Sequence, residues 1–286
     1  MDCPNPTLIA LFVDQRLDGG RASDVERHVD SCVPCRHVLS GLARTAPKPG
    51  AQDRYVVVRE LARGGMGKVS VAEDTLLGRI VALKELLVPS PAVEARFQRE
   101  LALTARLQHP AIVSIHDAGT WPNGEPFYVM RLVTGDSLEK LISDEPSAIA
   151  RIGLLPYAIA MVDALAYAHS HRIIHRDLKP ANVLVGDFGE TVVIDWGLAK
   201  DLASDAEPSG VAGTPAYMAP EQARGDTVDE RTDVYALGAV LYHVLAGEPP
   251  YTGKTADEIL AAVAAGPPIP LSARTRGLPP DLTTIV

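Results

Sequence analysis

The stretch His175-Arg176-Asp177-Leu178-Lys179-Pro180-Ala181-Asn182 gathers ionisable and amide side chains directly after two isoleucines. Asp177 and Asn182 lie five residues apart within it. A further acidic residue, Asp195, follows the apolar run VVI at positions 192–194. Phosphate chemistry with a bound metal needs oxygen ligands for the cation and a base that accepts a hydroxyl proton. Asp177, Asn182 and Asp195 supply those groups, so the stretch predicts a site for such chemistry.

Two segments upstream carry groups that suit phosphates. The segment LARGGMGKV at positions 61–69 lies between two β-rich runs, and its glycines let the backbone approach a ligand and point N–H groups at it. A plain hairpin turn is the alternative interpretation. The run VALK at 81–84 then places Lys84 in an apolar strand. A buried lysine needs an anionic partner, for which Glu100 is the candidate; a surface lysine on an edge strand is the alternative.

The order of strand-like and helical segments predicts an α+β fold. Strand patterns occupy residues 55–58, 69–72, 79–86 and 127–133, and helical patterns occupy residues 94–107, 154–169 and 234–245. Strands therefore come first and helices afterwards, which is typical of an α+β arrangement in two lobes.

A last motif, GTPAYMAPE at 213–221, completes an ordered series: glycine loop, VALK, helix Glu, HRDLKPAN, DWG and GTPAYMAPE. In this order the motifs resemble the protein-kinase family, above all the bacterial serine/threonine kinases of eukaryotic type. The resemblance runs from Tyr55 to the C-terminus. It implies a β-rich N-lobe at about 55–133 and a mainly helical C-lobe at about 134–286 that lacks the family's last helices. Lys179 favours serine or threonine over tyrosine as acceptor.

The resemblance implies ATP and Mg²⁺ (or Mn²⁺) as cofactors and protein serine or threonine hydroxyls as acceptors, including the chain's own. Asp177 would accept the proton of the attacking hydroxyl, and Lys179 would steady the γ-phosphate. Lys84, held by Glu100, would hold the α- and β-phosphates. The two implied Mg²⁺ ligands are Asn182 and Asp195.

The resemblance also implies an ATP pocket. Gly64 and Gly67 would cover the phosphates, Val69 would pack on the adenine, and Met130 would lie at the gate of the pocket, followed by a hinge at 131–133. The implied nucleotide-binding residues are Leu61, Ala62, Gly64, Gly65, Gly67, Val69, Ala82, Lys84, Met130, Asn182 and Asp195. Ala62 departs from the family by replacing its first loop glycine.

The tripeptide Asp187-Phe188-Gly189 spells the family's usual metal-binding motif but is expected to be a decoy. It lies only five residues after Asn182, where Gly186 and Gly189 favour a hairpin turn. Asp195 follows an apolar strand instead, so we assign the metal-binding role to Asp195. Trp196 then replaces the usual phenylalanine after the metal-binding aspartate.

Residues 198–213 would form the activation loop, with Ser204, Ser209 and Thr214 as candidate phosphorylation sites. Thr214 is expected to contact the acceptor site, whereas a phosphate on the loop would pair with Arg176. The alternative is that both serines only keep the loop solvated. Asp233 resembles the family's buried anchor of the catalytic loop; a simple helix cap is its alternative.

The N-terminal region carries a metal-ligand pattern. His28, Cys32 and Cys35 form H-x₃-C-x₂-C, and Cys3 lies upstream. A capping-box pattern at 23–26 predicts a helix start just before His28, which places His28 and Cys32 one turn apart. With Cys3 these residues complete a closed Cys₃His set for structural Zn²⁺. The pattern resembles the zinc finger of anti-sigma factors.

Other interpretations of the N-terminal region stay open. His37 or Asp2 could replace Cys3 as the fourth ligand. Cys32 and Cys35 could form a reversible disulfide, or all three thiols could simply be buried. The module is expected to bind a regulatory partner or to self-associate.

Composition limits the partners and the cellular compartment that can be expected. Lys+Arg 27 against Asp+Glu 36 gives a net charge of −9, so no nucleic-acid partner is expected. The sequence contains no run of about 18 uncharged apolar residues, so we expect no membrane-spanning helix. Three cysteines and an acidic N-terminus without a secretory pattern indicate a cytoplasmic chain, whose parent could be membrane-anchored beyond residue 286. The expected domains are a zinc module at 1–42, a linker at 43–54 and a kinase domain at 55–286.

These observations favour an enzyme, a non-specific serine/threonine protein kinase in bacterial signalling. A pseudokinase-like interaction protein, or an inactive fragment of a kinase, is the alternative from another class. A small-molecule kinase of related fold is disfavoured by GTPAYMAPE, which resembles the family's platform for peptide substrates.

Overall fold

The computed structural model describes residues 3–13, 16–45, 51–64, 67–87, 90–204 and 211–286. Among the predicted site residues, Gly65 and Ser209 lie outside the described residues, as does the alternative zinc ligand Asp2. The chain divides into two compact units, Met1–Arg54 and Tyr55–Val286. Each unit is described by itself below.

The N-terminal unit is helical. Its helices are α1 (Pro6–Val13), α2 (Gly19–Ser31), α3 (Val33–Thr45) and α4 (Ala51–Arg54). Helix α2 begins earlier than the sequence predicts, because Asp18 caps it by accepting a hydrogen bond from the Arg21 backbone N–H at 3.0 Å. The predicted capping box at Ser23 is therefore wrong, and Ser23 lies inside the helix. Ile9, Val25, Val29 and Cys35 form the small buried core.

The second unit begins with a five-stranded antiparallel sheet and one helix. In chain order these elements are β1 (Tyr55–Arg63), β2 (Gly67–Asp74), β3 (Arg79–Leu86), α5 (Pro91–Arg106), β4 (Ile115–Thr120) and β5 (Pro126–Met130). The order of strands in the sheet is β1-β2-β3-β5-β4. Ser90 caps α5, whose Phe97 packs on Tyr128 of β5 with ring centroids 5.0 Å apart. The sheet and α5 together form the expected β-rich N-lobe.

The rest of the second unit is mainly helical. Its elements are β6 (Gly135–Ser137), α6 (Leu138–Asp144), α7 (Ala148–Arg151), α8 (Leu155–Ser170), β7 (Ile173–Ile174), β8 (Val183–Gly186), β9 (Thr191–Val193), β10 (Lys200–Asp201), α9 (Pro220–Arg224), α10 (Glu230–Ala246), α11 (Ala256–Ala265), α12 (Leu271–Arg274) and α13 (Pro280–Ile285). Helices α8 and α10 carry much of the core, with Met161, Ala164 and Val240 fully buried. Strands β6, β8 and β9 form a small sheet. The predicted two-lobed α+β fold is confirmed.

One stretch of the C-lobe, Ala148–Ser170, is long and apolar enough to cross a membrane by length and composition alone. No such segment was expected from the sequence. Met161, Ala164 and Ala168 of this stretch are fully buried in the C-lobe core. Packing in that core accounts for these apolar positions, while other apolar residues of the stretch, such as Ile159, are exposed.

Candidate active site

A cleft of about 780 Å³ opens beside the sheet of the N-lobe. Its walls include every described residue of the predicted nucleotide set: Leu61, Ala62, Gly64, Gly67, Val69, Ala82, Lys84, Met130, Asn182 and Asp195. Strand register explains why distant residues meet there: Val69 is paired with Lys84 across β2 and β3, and Ala82 with Met130 across β3 and β5. Residues 131–133, the predicted hinge, also line the cleft.

Lys84 has the anionic partner that a buried lysine requires. Its Nζ donates to Glu100 Oε1 of α5 at 2.5 Å, with side chains only 14% and 3% exposed. The Tyr128 hydroxyl donates to the same carboxylate oxygen at 2.6 Å. Burial, and after it the Glu100 charge, holds the pKa of Tyr128 well above its usual value. The alternative of a surface lysine on an edge strand is excluded, since β3 lies between β2 and β5.

Three side chains from two segments form a closed hydrogen-bonded triangle. Lys179 Nζ donates to Asp177 Oδ2 at 3.0 Å and to Thr214 Oγ1 at 2.8 Å. Thr214 Oγ1 in turn donates to Asp177 Oδ1 at 2.8 Å. The Asn182 amide donates to the Asp177 backbone carbonyl at 2.9 Å, which ties the two ends of the loop together. The triangle therefore fixes a carboxylate, a cation and a hydroxyl in mutual contact.

The loop that carries Asp177 is anchored by a buried carboxylate of α10. Asp233, fully buried, accepts hydrogen bonds from the backbone N–H groups of His175 and Arg176 at 2.8 and 2.9 Å. It also pairs with His169 Nε2 at 2.8 Å. Arg176 adopts φ +66°, a strained region for a residue with a side chain, so these bonds offset a backbone cost. Asp233 is not a helix cap, because Asp229 caps α10.

Asp195 and Asp187 occupy different environments. Asp195 follows β9 with φ +61° and faces the cleft, and the next residue, Trp196, is buried against His175. Asp187 and Phe188 lie in the hairpin turn between β8 and β9, where Phe188 is 96% exposed. Only Asp195 therefore lies where it can reach a ligand in the cleft.

The N-terminal unit brings Cys3, His28, Cys32 and Cys35 together, with their ligand atoms all within 4.8 Å of one another. Cys3 Sγ and Cys32 Sγ are 3.7 Å apart. Two Zn–S bonds of about 2.3 Å at a tetrahedral angle place sulfurs about 3.8 Å apart. His28 Nε2 is buried and has no hydrogen-bond partner among the described residues. Spacing and an orphaned ring nitrogen both fit a zinc ion; the alternative ligand His37 is outside the cluster.

The thiols of this cluster differ in acidity. Burial, with hydrogen bonds from its cysteine neighbours, raises the pKa of Cys35 to about 12. The Cys35 backbone N–H lowers the pKa of Cys32. All three cysteines are free thiols. A cation that took these sulfurs as thiolates would have to displace their protons.

A family model described as "Protein kinase domain" matches residues 55–273. The chain belongs to the protein kinase family. A second model, described as "Putative zinc-finger", matches residues 7–36. The resemblances stated from the motifs are thereby confirmed.

Curated relatives of the chain include bacterial serine/threonine-protein kinases. The chain is 41% identical over 244 residues to the serine/threonine-protein kinase PknB of Mycobacterium tuberculosis, which covers 82% of this chain and 39% of that protein. It is 45% identical over 214 residues to the DNA damage-responsive serine/threonine-protein kinase RqkA of Deinococcus radiodurans, which covers 72% of this chain and 32% of that protein. The chain thus spans well under half the length of these relatives.

The segment after the DWG motif of the kinase holds further contacts. Asp201 accepts a hydrogen bond from Arg106 Nη1 of α5 at 2.5 Å, and the exposed Ser204 follows it. Near the end of the segment, Glu221 accepts a hydrogen bond from Thr232 Oγ1 at 3.0 Å. The Arg106–Asp201 pair therefore joins α5 to the start of the loop that carries Ser204.

Three contacts of α5 were not predicted from the sequence: Tyr128 with Glu100, Arg106 with Asp201, and Arg96 Nε with the Gly197 carbonyl at 3.1 Å. Strand alternation does put Tyr128 on the same face of β5 as Met130, a signal that the sequence offered. Nothing in the local sequence indicated the partner on α5, because the two residues are separated by 28 positions.

Proposed function

We propose that this chain is an ATP-dependent kinase that transfers the γ-phosphate of Mg·ATP to serine or threonine hydroxyls of proteins, including its own. The observation that carries the proposal is the Asp177–Lys179–Thr214 triangle. Membership of the kinase family implies ATP, Mg²⁺ and protein substrates. The cleft beside the Lys84–Glu100 pair supplies the space that a nucleotide needs.

Asp177 is the proposed base. Its Oδ1 already accepts a hydrogen bond from an aliphatic hydroxyl, that of Thr214. A serine or threonine of a substrate presents the same chemical group, so this carboxylate can orient an acceptor hydroxyl and take its proton. Lys179, bonded to both Asp177 and Thr214, brings positive charge to the point where the transferred phosphoryl group would become more negative.

The residues of the cleft would hold the nucleotide. We propose that Lys84, fixed by Glu100, binds the α- and β-phosphates, and that Asn182 and Asp195 supply oxygen ligands to Mg²⁺ or Mn²⁺. A cation held by these two residues would supply positive charge that neutralises the phosphates. Leu61, Val69 and Ala82 offer the apolar surface on which the adenine would pack, with Met130 beside them.

Ser204 is the proposed site of phosphorylation within the described part of the activation loop, because its position is exposed. Thr214 is engaged by both Asp177 and Lys179, which supports a place at the acceptor site rather than a role as phosphorylation site. Phosphate transferred to the chain itself would then be found on the loop.

Transfer of labelled γ-phosphate from Mg·ATP to the chain and to a basic protein acceptor tests the proposal. We expect phosphoserine or phosphothreonine in the product, and Asp177→Asn should lower the rate by roughly 10²- to 10⁴-fold because a positioned base is lost. Label that persists at the wild-type rate in Asp177→Asn would contradict the proposed base. No label with the wild-type chain, despite measurable Mg·ATP binding, would favour an interaction protein of the pseudokinase class.

For the N-terminal unit we propose a structural Zn²⁺ bound by Cys3, His28, Cys32 and Cys35, in a module at 1–42 joined by a linker at 43–54 to the kinase domain at 55–286. The matches at 7–36 and 55–273 support this division. The proposed role of the module is contact with a regulatory protein or a second copy. We also propose a cytoplasmic location, because the proposed activity uses ATP and the three cysteines are assigned to zinc rather than to disulfides.

A further inference from the structure

One carboxylate oxygen of Glu100 receives two donors. Lys84 Nζ lies 2.5 Å from Oε1, and the Tyr128 hydroxyl lies 2.6 Å from the same atom. Glu100 and Tyr128 are each 3% exposed, so water competes little for either group. Hydrogen bonds to a charged group are among the stronger ones in proteins, and a buried carboxylate depends on its donors.

Tyr128 connects the sheet to α5. On the sheet it is paired in register with Lys84, across β3 and β5. Its ring packs on Phe97 of α5, with centroids 5.0 Å apart, and its hydroxyl reaches Glu100 one turn further along that helix. Lys84 Nζ also lies 5.6 Å from the centre of the Tyr128 ring. The side chain therefore contacts both members of the Lys84–Glu100 pair.

We propose that Tyr128 is a positioning residue for phosphate transfer: its hydroxyl holds the Glu100 carboxylate in the orientation that fixes Lys84 in the cleft. This inference rests on the proposed kinase function of the same site. Without the hydroxyl, Glu100 keeps Lys84 as its only side-chain donor among the described contacts. The carboxylate can then rotate, and the lysine loses the fixed position from which it would meet phosphates.

The other contacts of α5 do not replace this one. Arg96 Nε donates to the Gly197 carbonyl, and Arg106 bonds Asp201, so both join α5 to the segment after β9. Tyr128 joins α5 to the sheet that carries Lys84. Loss of its hydroxyl should therefore affect the side of the helix that faces the nucleotide and leave the contact with Asp201 in place.

A purely structural role makes a different prediction. A buried tyrosine hydroxyl usually has a partner, and Glu100 could be merely the nearest acceptor. Removal of the hydroxyl would then cost stability alone, whatever residue stood at position 100. If Tyr128 acts through Glu100, its effect on the nucleotide must disappear once the carboxylate is gone, because residues that share one interaction are not additive.

The experiment uses the full chain and four variants: Tyr128→Phe, Glu100→Gln, the double variant, and Tyr242→Phe as the matched control. Tyr242 is also 3% exposed, and its hydroxyl donates to the Ile269 carbonyl in the C-lobe at 2.9 Å. The dissociation constant of Mg·ATP is measured by calorimetric titration, kcat and KM for ATP by phosphate transfer, and folding by thermal unfolding.

We expect Tyr128→Phe to weaken Mg·ATP binding and to raise KM for ATP by roughly tenfold, the size expected for a hydrogen bond to a charged group, with a smaller change in kcat. Tyr242→Phe should leave these values within about twofold. In the Glu100→Gln background, Tyr128→Phe should change Mg·ATP affinity by less than about twofold.

The inference is overturned if Tyr128→Phe behaves like Tyr242→Phe, or if its effect persists undiminished in the Glu100→Gln background. The role of Tyr128 is tested by Mg·ATP affinity, whereas the proposed function is tested by phosphate transfer, so the two tests can fail separately. A wild-type chain that binds Mg·ATP without transferring phosphate would overturn the proposed activity, while the affinities still decide the role of Tyr128. A chain that binds no Mg·ATP would overturn both.

Discussion

The two compact units hold their polar groups in different ways. In Tyr55–Val286, a large apolar core surrounds buried polar groups that are bonded to one another, as at Asp233 and Glu100. Among the described residues of Met1–Arg54, the core cluster has four buried residues, one of them Cys35, beside a cluster of four side chains that could hold a metal. A small domain gains little from apolar burial alone and needs a cross-link. The comparison predicts that the proposed zinc would stabilise the N-terminal unit, whereas core packing stabilises the other unit.

The largest expected effect is therefore in the N-terminal unit. Removal of zinc by a chelator should unfold its helices, because binding energy and folding energy coincide in such modules. Zinc content by atomic emission and helicity by circular dichroism measure this. One zinc per chain is expected for the wild type and for His37→Ala, and none for His28→Ala. A His37→Ala chain that lost zinc while Cys3→Ser kept it would contradict the assigned fourth ligand.

In the kinase unit, the largest loss of stability is expected from substitution of Asp233. Asp233→Asn leaves one of the backbone N–H groups of His175 and Arg176 facing an amide NH₂ instead of a carboxylate oxygen. We expect a loss on the order of 3 kcal/mol in the free energy of unfolding, since a buried charge network is broken. Asp229→Asn, on the same helix, should change little, because asparagine caps as well as aspartate. Equal losses in urea denaturation of the two variants would refute the anchoring role.

A smaller loss of stability is expected when the pH is lowered. Burial, and after it the Arg151 charge, lowers the pKa of His243 to about 4, while its ring bonds the Tyr217 hydroxyl at 2.7 Å. Unfolded histidine titrates near pH 6.5, so the unfolded state binds more protons between pH 6.5 and 4. Stability contributed by neutral His243 is thus present above pH 6.5 and lost as the pH falls towards 4. The melting temperature should drop less on acidification in His243→Gln than in the wild type; identical drops would argue against this source.

The smallest effect is expected at an exposed ion pair. Arg131 Nη2 and Glu190 Oε1 are 3.0 Å apart, with side chains 40% and 31% exposed. Glu190→Gln should lower the free energy of unfolding by less than about 1 kcal/mol, and the difference should shrink in high salt. A salt-independent loss of several kcal/mol in the free energy of unfolding would contradict the view that core packing, rather than surface ion pairs, stabilises this unit.

Much of the kinase unit could be predicted because its signals are local. An apolar strand precedes Asp195, whereas glycines flank Asp187, and this difference distinguishes the two residues in the sequence. The Tyr128–Glu100 bond could not be predicted, because it depends on how α5 packs on the sheet. In the N-terminal unit the spacing of the cysteines and the histidine predicted the side chains that cluster, but the start of α2 was predicted wrongly, because Asp18 caps the helix upstream of the pattern at Ser23.

The central claim is that Asp195, and not Asp187, serves a phosphate-transfer site with Asp177. Rates of γ-phosphate transfer by Asp195→Asn and Asp187→Asn compare the same chemical change at a residue facing the cleft and at one in an exposed turn. We predict a loss on the order of 10²- to 10³-fold for Asp195→Asn, because a ligand for the charge-neutralising cation is removed, and a rate near the wild type for Asp187→Asn. Full activity of Asp195→Asn, or loss of transfer in Asp187→Asn, would contradict the account.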